Sequence, residues 1–192
     1  CKICNNTENN QKLVIHEMMF GTNEGFDYFK CNQCNCIQIE YIPDNLGDYY
    51  PSDYYSYQSN ETNLKSTISN KIMFDFYTGY KRTLLGKILR KKHPSSTFHS
   101  WFRELKINDR NTKVLDVGCG GGELLRELYK AGFKDCTGID PFNKADFYIN
   151  KSLRILKQDL LSHSGKYDLI MLHHSLEHMP NQQKIIEKIG QL

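Results

Sequence analysis

At 192 residues the chain has room for one small module and one partial α/β domain. A formal net charge of +3 leaves no general nucleic-acid footprint, and no apolar run approaches the length of a membrane span. Seven cysteines, an odd number, without an apolar leader argue against a disulfide-built secreted protein and predict a reducing, cytoplasmic setting.

Two cysteine pairs open the chain, Cys1-x-x-Cys4 and Cys31-x-x-Cys34, with residues 5–30 between them. Each pair presents two thiolates to one ion, and four sulfurs complete a closed tetrahedral zinc site. A closed site keeps no open coordination position, so the metal is assigned to folding and not to catalysis. Cys36 is a spare thiol and stands as the alternative to Cys34. The intervening residues predict a hairpin with arms at 16–20 and 26–30 and a turn at Thr22-Asn23-Glu24-Gly25. Together these make a small β module over residues 1–45. Residues 46–70 hold the run Asp48-Tyr49-Tyr50-Pro51-Ser52-Asp53-Tyr54-Tyr55 and a polar linker over 58–70. A helical cap is predicted over 71–111, built on one amphipathic helix from 71 to 90. Ile72, Phe76, Tyr80, Leu84 and Ile88 would face inward, with Lys81, Arg82, Lys87, Arg90, Lys91 and Lys92 in solvent. Such a helix would pack on the following domain and cover its ligand mouth.

That domain begins with Val114-Leu115-Asp116-Val117-Gly118-Cys119-Gly120-Gly121-Gly122. Residues 114–117 read as a buried strand, 123–131 as the helix behind it, and Gly132 as the helix stop. A dinucleotide turn G-x-G-x-x-G would need glycine at 123, where Glu123 stands. The pattern present, D-x-G-x-G-x-G, resembles motif I of the class I S-adenosylmethionine (SAM) methyltransferases. Downstream, a strand over 136–139 ends in Asp140, placed to accept from two ribose hydroxyls. Between Asp140 and Leu153 there is little room for a full helix, and Pro141-Phe142-Asn143 reads as loop. A third strand over 153–156 runs into Asp159 and Leu160, and the resemblance implies that this acid lies near the adenine amino group. A fourth strand, 167–172, delivers His173-His174-Ser175-Leu176-Glu177-His178. Ligands of open α/β sheets bind outside the carboxyl ends of the strands, where all these groups fall.

The resemblance covers residues 112–192 and implies a Rossmann-like α/β sheet that binds SAM through Asp116, Gly118, Gly120, Gly122, Asp140, Pro141, Asp159, Leu160 and His173. A class I sheet has seven strands, so about three are expected beyond Leu192. The cysteine module ahead of such a domain resembles methyltransferases that modify sugars and begin with a zinc-binding region, including those of surface-polysaccharide biosynthesis. This implies a small-molecule acceptor of the sugar-nucleotide type, and the tyrosine run either contacts that sugar or covers a domain junction. An acceptor hydroxyl or carbon must lose a proton, and His178 is the candidate base, with Glu177 orienting it and His174 lining the pocket. Cys119 and Cys136 read as packing residues, and His16, His93, His99 and His163 receive no role. Two other readings remain: a catalytically inert SAM-binding partner subunit, or a cysteine module that recognises a protein or nucleic acid.

Overall fold

The computed structural model describes residues 1–18, 21–45, 64 and 66–192. They divide into two compact units, Cys1–Pro51 with Met179–Glu187, and Ser52–His178 with Lys188–Leu192. The tyrosine run at 48–55 and most of the linker at 58–70 lie outside the described residues.

The first unit carries an antiparallel sheet of β1 (Gln11–His16), β2 (Gly25–Lys30) and β3 (Ile37–Ile39), in that order. Leu13 faces Tyr28, and Tyr28 faces Ile39. The second arm of the hairpin stands where expected, but the first ends at His16 instead of beginning there. Leu13, Val14 and Ile15 supply the β-branched and apolar run, and Glu17 closes the turn. Its carboxylate accepts from both the N–H and the hydroxyl of Thr22 at 2.9 Å, and its own N–H donates to the Glu24 carbonyl.

In the second unit the single helix expected over 71–90 is two. The helix α1 (Ile68–Tyr77) is capped by Thr67, whose side chain accepts from the Asn70 N–H. It ends at Thr78 and Gly79, the latter at φ 79°, a left-handed conformation that glycine adopts without a steric penalty. A second cap, Thr83, starts α2 (Leu84–Leu89). Threonine as an N-cap competes with helix continuation, which is why the apolar periodicity alone overran the break. The buried face also differs. Met73 and Phe74 enter the core, whereas Tyr80, Leu84 and Ile88 are exposed. Phe74 meets Phe102 of α3 (Phe98–Glu104) at 5.5 Å and Phe133 at 5.3 Å between centroids, both edge-on. Arg110 lies over the Phe74 ring at 4.3 Å and pairs with Asp75 at 2.6 Å.

The remaining elements are β4 (Lys113–Val117), α4 (Glu123–Lys130), β5 (Asp135–Ile139), β6 (Phe147–Asn150), β7 (Leu153–Leu156), β8 (Leu169–Met171) and α5 (Gln182–Gln191). Sheet order is β6-β7-β5-β4-β8, with β7, β5, β4 and β8 parallel and β6 antiparallel to β7. This is a mixed α/β, Rossmann-like arrangement. The short segment after Asp140 accordingly holds no helix; it returns as the edge strand β6. The sequence offered no reading of this strand, because four residues that pair on one edge only carry little periodic signal. Val114, Leu115, Leu125, Leu128, Cys136 and Leu153 are fully buried and form the core. Behind α4, the Phe133 N–H donates to the Leu128 carbonyl and the Gly132 N–H to Tyr129, the helix stop expected of Gly132 at φ 101°.

Candidate functional site

Because β4 has β5 on one side and β8 on the other, the chain reverses its winding direction beside β4, and the crevice at that switch point lies beyond the carboxyl ends of these strands. The glycine turn after β4 occupies it. Gly118, Gly120 and Gly122 have φ of 76°, 51° and 75°, so the alternation of glycines follows from three left-handed positions. Two of them also sit against neighbouring chain. A Cβ on Gly118 would run into the side chain of Ser175, and one on Gly122 into Ile155 of β7. Gly122 therefore seats α4 on the sheet, while Gly118 and Gly120 shape the turn itself.

Asp140, 6% exposed, ends β5 and reaches back across this turn. Its Oδ2 accepts from the Gly120 N–H at 3.0 Å and its Oδ1 from the Phe142 N–H at 2.9 Å. Each carboxylate oxygen keeps a second lone pair, enough for two ribose hydroxyls. Asn143 completes the clamp by donating to the Gly120 carbonyl at 2.9 Å. Sequence reading treated Asn143 as loop; only the fold of 140–143 brings its amide to the glycine turn.

Asp116, 5% exposed at the end of β4, has no hydrogen-bond donor on its carboxylate among the described residues. Burial, with the nearby charge of Asp140 adding to it, pushes its carboxyl up to about 7. Burial also raises Asp140, against the two N–H groups that hold it down. An acid whose folded value lies above its unfolded value binds more protons when folded, so it removes stability as pH rises toward 7. Asp116→Asn is therefore expected to stabilise the cofactor-free protein by about 2–4 kcal/mol at pH 8 and by almost nothing at pH 4. Thermal melts at the two pH values check this, and a variant no more stable at pH 8 would refute the buried charge.

Asp159 caps the turn Leu160–Ser162, its Oδ1 accepting from the Leu161 N–H at 2.7 Å. Leu160 is buried and Pro141 is exposed. The loop carrying Asp159 is fixed by His163, to which the sequence assigned nothing. The Gln158 amide donates to the Ser162 carbonyl, so its oxygen faces His163 Nδ1 at 2.9 Å and that nitrogen carries the proton. His163 Nε2 then accepts from the Tyr167 hydroxyl at 2.8 Å. Burial lowers the His163 pKa, and the Lys188 and Arg154 charges lower it further.

Beyond β8 the Ser175 hydroxyl donates to the Val117 carbonyl at 2.7 Å, tying this loop to the glycine turn. His174 has φ 51°, and Glu177 stands between two imidazoles, 3.6 Å from His174 Nδ1 and 3.9 Å from His178 Nε2. These separations exceed a hydrogen bond, so they place charge near the rings without fixing a tautomer. All three side chains are exposed. His173 packs its ring 4.7 Å from Trp101 of α3, so the helical region reaches the end of β8; partial burial lowers its pKa. Cys136 is buried with its thiol pushed up to about 12, and Cys119 also lies far above the ordinary thiol range through burial, as packing residues should.

In the first unit the Sγ atoms of Cys1, Cys4, Cys31 and Cys34 all lie within 4.8 Å of one another. The Cys4–Cys31 and Cys1–Cys34 separations are 3.5 and 3.6 Å. A disulfide would need about 2.05 Å; a tetrahedron of sulfurs at ~2.3 Å from zinc has edges of about 3.8 Å. Cys36 stands outside the cluster, with Gln38 donating to its sulfur. Each C-x-x-C turn ends on an asparagine, Asn5 and Asn35, both at φ 59°, whose N–H groups donate to the carbonyls of Cys1 and Cys31. The repeated C-x-x-C-N was visible in the sequence as a sign of two like turns, since asparagine enters this conformation readily. The Cys34 N–H holds the Cys31 thiol down to about 6, whereas, against the Cys36 N–H, burial and the neighbouring Cys4 and Cys31 sulfurs raise the Cys34 thiol.

Residues 90–192 match the family described as a methyltransferase domain. Over 91 residues the chain is 32% identical to the ubiquinone biosynthesis O-methyltransferases of Escherichia fergusonii, Pectobacterium carotovorum and Escherichia coli. Each alignment covers 42% of this chain and 38% of the relative, so the chain spans well under half the length of these enzymes. No solved structure matches it. With more than half of its length inside the family's domain and the glycine turn at the switch point of its sheet, the chain belongs to the methyltransferase-domain family.

Proposed function

We propose that the protein is a SAM-dependent methyltransferase acting on a small-molecule acceptor, with a structural zinc in its first unit. The observation that carries the reading is the Asp140 carboxylate drawn across the Gly118–Gly120 turn by the Gly120 and Phe142 N–H groups. That arrangement offers ribose-accepting oxygens beside the glycine turn, without the helix-terminal phosphate seat of a dinucleotide fold. Asp116 would face the positively charged part of the cofactor, Asp159 and the backbone at Leu160 its base, and Pro141 and His173 its flanks. SAM supplies a methyl group already activated as a sulfonium. The protein's own share is to orient the acceptor, keep water out and take a proton. His178 would remove that proton, with Glu177 stabilising the imidazolium and His174 lining the same edge.

A sugar or sugar nucleotide is the proposed acceptor, on the strength of the four-cysteine module ahead of a SAM domain. The alternative is an acceptor like those of the relatives named for ubiquinone biosynthesis, supported by identity over the 91 matched residues. Calorimetry with SAM tests the cofactor reading. Asp140→Ala is expected to weaken binding by about 1–3 kcal/mol, or roughly 5–150-fold. Unchanged affinity would remove Asp140 from the ribose role. Methyl transfer to sugar nucleotides against phenolic acceptors separates the two substrate classes, and tight SAM binding without transfer to either would favour the inert partner subunit.

A further inference from the structure

From 76 to 103 the sequence holds no acidic residue, yet it holds Lys81, Arg82, Lys87, Arg90, Lys91, Lys92 and Arg103. The helix α2 occupies the middle of this stretch. Its inward side is small: Gly86 is buried so close to Phe76 that a Cβ would come within 2.7 Å of that ring, and Leu89 beside it is half-buried. The large apolar side chains point the other way. Leu84 is 75% exposed, Ile88 60%, Tyr80 53% and Leu85 49%. Lys81, Arg82, Lys87, Arg90, Lys91 and Lys92 are exposed around them, and no carboxylate pairs with any of the six among the described residues. The nearest acid in sequence, Asp75, is occupied by Arg110.

We propose that this face docks on the surface of a bilayer containing anionic lipids. Leu84, Leu85, Ile88 and Tyr80 would enter the boundary between headgroups and acyl chains, and the six cations would engage lipid phosphates. The aliphatic side chains decide between polyanions: a nucleic acid rewards the lysines and arginines but offers nothing to Leu84 or Ile88, whereas a bilayer rewards both. No helix among the described residues is long and apolar enough to cross a membrane. This docking is independent of methyl transfer and of the zinc site.

Co-sedimentation of the full chain with vesicles tests it, using phosphatidylcholine alone and phosphatidylcholine with phosphatidylglycerol. Binding is expected only with phosphatidylglycerol present, and it should weaken in high salt as charges are screened over shorter distances. The pair Leu84→Ser with Ile88→Ser, which leaves the charge intact, should lose at least roughly tenfold in affinity. Lys87→Glu with Lys91→Glu should lose more. An unchanged far-ultraviolet circular dichroism spectrum and melting temperature show that either variant is folded. A double serine variant that binds anionic vesicles as well as wild type would make the patch a generic polyanion site and overturn the proposal. So would equal binding to uncharged vesicles, or no binding at all.

Discussion

Replacing His178 with asparagine is expected to lower methyl-transfer turnover by about 10²–10⁴-fold while leaving SAM affinity as it was. The loop that carries His178 is held from below: the Ser175 hydroxyl is anchored on the Val117 carbonyl, and the His178 N–H donates to the Ser175 carbonyl at 3.1 Å. Asparagine keeps a polar side chain of similar reach and leaves these backbone anchors in place, so the loss would report proton transfer and not collapse of the loop. Glu177 supports either neighbouring histidine, at 3.6 Å from His174 and 3.9 Å from His178. His174→Asn is therefore the companion experiment. If His178→Asn stays active and His174→Asn does not, the base is His174.

Much of the second unit was legible because its signals are local. An apolar strand, three glycines at left-handed positions and an acid at the next strand's tip lie in order along the chain, and the sheet needs only to run parallel to gather them. Gly118, Gly120, Asp116 and Asp140 came together for that reason. The residues that hold them did not announce themselves. Asn143 reaches Gly120 through a turn, Ser175 reaches Val117 across two strands, and His163 gains its role from a glutamine five residues back and a tyrosine four residues on. Such contacts depend on chain reversal and carry no periodic trace. The helical region failed differently. An apolar stripe from Ile72 to Ile88 fits one long helix, yet two threonine caps and Gly79 divide it, and the stripe's second half turns outward. Hydrophobic spacing identifies a helical face; it does not reveal whether that face is covered.

Asp116 shows how the site and the fold pull against one another. A carboxylate this deeply buried beside Asp140, with no donor on it among the described residues, weakens the cofactor-free protein at neutral pH. A cationic cofactor relieves that by favouring the ionised form, so binding should release a proton below pH 7 and tighten as pH rises toward that value. Stability gained together with affinity lost in Asp116→Asn would mark the residue as belonging to the site and not to the scaffold.

Removing zinc is expected to unfold the first unit. Its sheet has three short strands, Val14, Ile15 and Ile37 on it are exposed, and among the described residues of 1–45 Cys31 is the one buried hydrophobic side chain. So small a core leaves the four thiolates as the main source of order, and structural zinc bound by such sets contributes about 10–16 kcal/mol at neutral pH. Protein purified without chelator should contain one zinc per chain by elemental analysis. Chelation should abolish amide-exchange protection in β1 and β2 while SAM affinity persists, since none of the cofactor residues lies in the first unit. Cys34→Ser should lose the metal and Cys36→Ser should keep it, because of these two only Cys34 belongs to the sulfur cluster. No stoichiometric metal, or a disulfide between any two of the four cysteines, would overturn the assignment. Zinc retained by Cys34→Ser and lost by Cys36→Ser would move the fourth ligand to Cys36.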